Sequence, residues 1–74
     1  MTEIERRILS ILQEEYSSGK SRSALRFDVI ATSNAEALHA LKTLQREGYI
    51  DVYARMIGAW SCAITEYGLA MLSS

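Results

Sequence analysis

Leu44-Gln45-Arg46-Glu47-Gly48-Tyr49-Ile50 is the stretch on which the fold turns. Upstream of Gly48, Ala37, Leu41 and Leu44 recur at i, i+4 and i+7 with Leu38 beside them, the spacing of one apolar helical face. Downstream the period becomes two, with Ile50, Val52 and Ala54 alternating with Asp51, Tyr53 and Arg55. Gly48 stands at the change, where a residue without Cβ can take the positive φ that stops a helix. Ser33-Asn34-Ala35-Glu36 opens the same helix as an S-x-x-E capping box. The helix is therefore marked at both ends.

Outward from this junction the remaining elements follow. Trp60, Cys62 and Ile64 alternate with Ser61, Ala63 and Thr65, and Gly58 lies between the two alternating runs where a hairpin must turn. The segment from Thr65 to Leu72 fits a short final helix with Leu69 and Leu72 inward. At the other end, Ile4, Ile8, Ile11, Leu12 and Tyr16 share a face over residues 2–16, behind a T-x-x-E capping box of Thr2 and Glu5. Ser17-Ser18-Gly19 stops that helix. Residues 20–32 read two ways, since Leu25-Arg26-Phe27-Asp28-Val29 alternates like a strand. A helix with Leu25, Val29 and Ile30 inward is preferred, because a short strand without a neighbour leaves its backbone groups unpaired. The expected order is α-α-α-β-β-α: an α+β domain, mainly α, of three helices, a two-stranded hairpin and a short C-terminal helix over residues 1–74. Its expected core is Ile4, Ile8, Ile11, Leu12, Leu25, Ile30, Leu41, Leu44, Ile50, Val52, Ile64 and Leu69.

Composition narrows the function. Seventy-four residues make one small domain that hides only ~60% of its unfolded surface, so burial borrowed from a second subunit is valuable. Eight Lys+Arg against nine Asp+Glu exclude a generally basic coat protein but not a local basic patch. The single Cys62 rules out an internal disulfide and a cysteine metal cluster, and its inward position makes it an inert thiol. No apolar run approaches the ~20 residues of a membrane span, and the acids and arginines of the first residues are unlike a secretory signal. A cytoplasmic protein without a membrane partner is expected. No phosphate-cradling glycine loop and no Ser/His/Asp or Cys/His constellation offers a reacting centre, so neither an enzyme nor a cofactor is expected.

The helix that closes Leu44-Gln45-Arg46-Glu47-Gly48-Tyr49-Ile50 into a hairpin resembles the winged helix-turn-helix family, whose recognition helix ends in a leucine, polar residues, a glycine and an aliphatic pair. Thr65-Glu66-Tyr67-Gly68 before Leu69 and Leu72 is similar to the family's threonine–x–x–glycine signature after the second wing strand. The resemblance covers essentially the whole chain. It departs at Phe27 and at Ala31-Thr32-Ser33-Asn34, where the family carries a small packing residue and a glycine in the turn. It implies sequence-specific binding of double-stranded DNA in transcriptional control; a homodimer is expected separately, from the small core and the apolar hairpin tip.

Charge distribution points the same way. Residues 20–46 hold Lys20, Arg22, Arg26, Lys42 and Arg46 against Asp28 and Glu36, an excess of +3 flanked by segments at −2. Asn34, His39, Lys42, Thr43 and Arg46 are the expected major-groove residues, with Lys20, Arg22, Arg26 and Arg55 on the phosphate backbone. Asn34 suits an adenine edge. His39 is a groove contact or a solvated helix residue, Arg55 a wing contact or a solvated one, and Glu36 serves the cap. Against plain DNA reading stands the tip Arg55-Met56-Ile57-Gly58, which is apolar where wings that grip DNA are basic. Tyr53, Met56 and Ile57 make the competing expectation a protein-interaction module, docking a partner through the hairpin.

Overall fold

The computed structural model describes residues 1–73, in the order α1 (Glu3–Ser17), β1 (Ser23–Arg26), α2 (Phe27–Ile30), α3 (Asn34–Arg46), β2 (Ile50–Met56), β3 (Ala59–Ile64) and α4 (Glu66–Ser73). Both long helices start at the expected caps. At α1 the box is reciprocal: the Glu5 amide donates to Thr2 Oγ1 (3.1 Å) and the Thr2 amide to Glu5 Oε1 (3.0 Å). That bonding is what lets Glu5 be buried. At α3 only half the box forms. The Glu36 amide donates to Ser33 Oγ (3.2 Å), while the Glu36 carboxylate accepts from the Thr32 and Ser33 hydroxyls instead of a backbone amide.

The segment 20–32 differs from expectation. It is a strand followed by a single helical turn. β1 runs antiparallel to β3, pairing Ser23 with Cys62, Ala24 with Ser61, Leu25 with Trp60 and Arg26 with Ala59. The sheet therefore has three strands, ordered β1-β3-β2, where a two-stranded hairpin was expected. The objection to a strand was the want of a partner, and the second edge of β3 supplies one. Leu25 faces the interior while Ala24 and Arg26 face out, as a strand requires. Helix resumes at Phe27, leaving Phe27 and Ile30 buried and Val29 exposed, not inward. The α2 carbonyl end is closed from outside, by Arg7 Nη1 of α1 donating to the Ile30 carbonyl at 3.0 Å.

The core forms where α1, α3 and the inner sheet face meet, from Ile8, Leu9, Leu12, Leu25, Phe27, Ile30, Ala37, Ala40, Leu41, Leu44, Ile50, Trp60, Cys62 and Ile64. Of the expected core, Ile4, Ile11, Val52 and Leu69 are only half-buried and pack around this centre. Leu9 was not expected inside. At 100° per residue it lies at the opposite edge of α1's apolar arc from Ile4 and Ile11, which widens the buried face beyond the expected stripe.

Thr65 joins four elements. Its hydroxyl donates to the Gly48 carbonyl (2.7 Å) and accepts from the Gly68 amide (3.0 Å), and its own amide donates to the Tyr49 carbonyl (3.1 Å). One side chain thus caps α4 and pins it to the turn between α3 and β2. Gly48 makes that turn at φ 83°. Gly68 is required for a different reason: a Cβ there would press into the Tyr49 carbonyl and the Ile64 side chain. The rings of Tyr49 and Tyr67 stack over the joint at 5.0 Å between centroids.

Replacing Gly68 by Ala forces α4 off the joint, an overpacking cost of about 2 kcal/mol. For a domain this small that lowers the thermal midpoint by roughly 10 °C. Circular-dichroism melting checks it, and an unchanged midpoint refutes the packing argument.

Candidate nucleic-acid interface

On α3, Ala37, Ala40, Leu41 and Leu44 face the core. Turning by 100° per residue, Ala35, His39, Lys42 and Arg46 line the opposite side, and all four are exposed. Lys42 and Arg46 make no ion pair among the described residues. Asn34 is exposed at the first turn, on the flank facing the hairpin. It lines a groove of about 340 Å³ with Arg26, Asp28, Ile57, Gly58 and Ala59. Thr43 falls on the other flank. It is half-buried beside Met1, Glu5, Glu47 and Tyr49, turned away from the Lys42–Arg46 stripe.

That second flank is acidic. His39 shares a groove of about 390 Å³ with Glu3, Glu5 and Glu36 over a floor of Ile4 and Ala40. The long helix is thus electrostatically two-sided, cationic along its crest and hairpin side and anionic towards α1. Phosphate is attracted to one side and repelled from the other.

The four expected backbone cations are all engaged within the protein. Lys20 pairs with Glu15 at 3.3 Å and Arg26 with Asp28 at 2.7 Å. Arg22 lies over the Tyr53 ring at 4.2 Å, and Arg55 over Trp60 at 4.9 Å while donating to Gln45 Oε1 at 3.1 Å. Lys20 and Arg22 precede β1, whose opposite end at Arg26 is the one beside the hairpin turn. Arg26 and Arg55 stand at the hairpin end, with Asn34. The expected set therefore separates into a group around α3 and the hairpin tip and a pair at the far end of β1.

The hairpin tip is tethered. The Phe27 amide of α2 donates to the Gly58 carbonyl at 2.9 Å, and β1 runs alongside β3 as far as Ala59. It projects little beyond the sheet. Even so, Ile57 is fully exposed, and Tyr53 and Met56 are about half exposed (51% and 46%).

Two features of the site escape sequence reading. Gln45 was assigned no function, yet it holds Arg55. Between Val52 and Ala54 the β2–β3 register shifts by one residue, a bulge carried by Tyr53. Neither a glycine nor a break in polarity marks it. Strict alternation puts Arg55 on the outer face with Asp51, whereas the shifted register sets it opposite the buried Trp60.

Among the described residues no group of three or more His, Cys, Asp or Glu is arranged to hold a metal, and no helix is long and apolar enough to cross a membrane. No protein-family model, curated protein or solved structure matches the chain.

Cys62 is fully buried between the strands. Burial pushes its thiol up from 9.0 to about 11, with the Arg55 charge pulling the other way. The unfolded thiol ionises first, so its neutral form favours the fold fully below pH 9, and that contribution is lost as pH rises through about 11. Thiolate absorbance should therefore appear near pH 11 in the native protein and near pH 9 in urea. A native midpoint at or below 9 would show an open thiol.

Proposed function

We propose that the chain is a winged helix-turn-helix domain that binds double-stranded DNA sequence-specifically, acting as a small transcriptional regulator. The observation that carries this reading is the outward line of α3, where Lys42 and Arg46 stand exposed and unpaired among the described residues on a helix rigidly backed by Leu41 and Leu44. A helix so presented fits the major groove, with cations towards phosphate and His39 and Asn34 near base edges. The element order supports the fold half of the proposal. A strand between the first two helices, paired with the second strand of the hairpin, is compatible with a winged domain. The one-turn α2 and its glycine-free link to α3 depart from the family, and Arg7 takes over part of the job of holding α2.

The reading includes a homodimer in the cytoplasm. A single α3 offers few phosphate contacts. Two copies about 34 Å apart would double them across successive major grooves. A second reading rests on the hairpin: exposed Tyr53, Met56 and Ile57 on a tethered tip suit a module that docks a protein.

Binding of a labelled random-sequence duplex across a salt series tests the proposal. Changing Lys42 and Arg46 together to Ala should weaken affinity and lower the salt slope by roughly 2. No salt-sensitive binding by the unaltered protein would favour the docking module. That module in turn predicts loss of self-association or partner binding, with the melting curve intact, when Met56 and Ile57 are both changed to Asp.

A further inference from the structure

We propose that Arg55 is a positioning residue: the bulge at Tyr53 sets it on the sheet face that carries Trp60, and there, still exposed to solvent, it braces the β2–β3 hairpin against α3. The inference rests on the DNA-binding reading for its consequence in binding, and on the register and contacts alone for its geometry.

The register makes the case. Ile50 pairs with Ile64 and Val52 with Cys62, which places these β2 residues on the inner face. Continued without a bulge, the same pairing would set Ala54 opposite Trp60 and Arg55 opposite Ala59, on the outer face and open to water. The extra residue reverses the alternation, and Arg55 comes to oppose Trp60 instead. Trp60 is only 4% exposed, so its ring is a fixed platform. The guanidinium lies over that ring, and its Nη2 reaches Gln45 Oε1 at 3.1 Å, in the last turn of α3 and one residue before Arg46. Among the described residues this is the side-chain hydrogen bond that ties α3 to the hairpin.

A guanidinium suits this place better than an ammonium. Its plane stacks on the indole while its fork donates sideways, and lysine can do only one of these at a time. The brace joins the two elements that would straddle a groove wall, so it sets how far the hairpin leans from α3 when α3 is seated. Arg55 then acts on DNA through geometry more than through its charge.

Residual dipolar couplings of the free protein report the angle between α3 and the hairpin without any DNA. Wild type is compared with Arg55→Ala, Arg55→Lys, Gln45→Leu and, as a control, Lys42→Ala. The first three variants should each change that angle or disperse it, and Lys42→Ala should leave it as it was. On a random-sequence duplex the same three should lose affinity five- to tenfold with the salt slope of wild type, whereas Lys42→Ala should lower the slope by about one. The proposal is overturned if Arg55→Ala leaves the couplings unchanged, if Arg55→Lys matches wild type in both measurements, or if Arg55→Ala lowers the slope by about one as a phosphate ligand would. Wild type that fails to bind duplex, with couplings that still move in Arg55→Ala and Gln45→Leu, sinks the DNA reading and upholds the brace.

Discussion

The Thr65 hydroxyl, held between the Gly48 carbonyl and the Gly68 amide, is the contact on which the arrangement of the other elements depends. It fixes the end of β3 and the start of α4 against the turn that leads from α3 into β2. Core packing of Ala37, Ala40, Leu41 and Leu44 seats α3, and this joint fixes its C-terminal end against β3 and α4. The threonine–x–x–glycine spacing is what the geometry needs. A hydroxyl at the cap position meets the amide three residues on, and at that third residue any side chain would strike the Tyr49 carbonyl.

What was legible in the sequence divides by the range of the interactions involved. α1, α3 and the hairpin are announced by neighbours in the chain, through Thr2 with Glu5, Ser33 with Glu36, and the change of period at Gly48. β1 was misread because its stability comes from Trp60 and Cys62, more than thirty residues away in sequence, and nothing within residues 20–32 reports that partner. The strand-like alternation of Leu25-Arg26-Phe27-Asp28-Val29 holds only for Leu25 and Arg26, since the chain turns helical at Phe27, and the local argument about unpaired backbone weighs against the strand that does form. The bulge at Tyr53 is the purest case of illegibility, since an inserted residue leaves no trace when both neighbours are compatible with either face. Consequently the chain gives no sign that Arg55, exposed as expected, stands opposite Trp60 and within reach of Gln45.

The charge pattern has the same character. Counting residues finds an excess on segment 20–46, yet most of those cations already have partners at 2.7–4.2 Å in the fold. Pairing of this exposed kind is weak and salt-sensitive, so phosphate can compete for Lys20 and Arg26. What stays uncommitted among the described residues is the short line of Lys42 and Arg46, on a helix whose first turn holds Glu36 and whose C-cap is Glu47. On a chain of net charge −1, that proportion favours contact in one orientation over indiscriminate adhesion to polyanions.

The bulge has a consequence beyond the side chain it turns. β2 is an outer strand of the sheet, seven residues long, and its free edge carries backbone groups with no strand beside them. An uninterrupted edge of that length is a template on which a second molecule can add its own strand, and then a third. At Tyr53 the even spacing of those amides and carbonyls is broken and the strand bends, so an incoming chain can match one half of the edge or the other but not both. For a short domain with an outer strand of this length, the break works against edge-to-edge polymerisation.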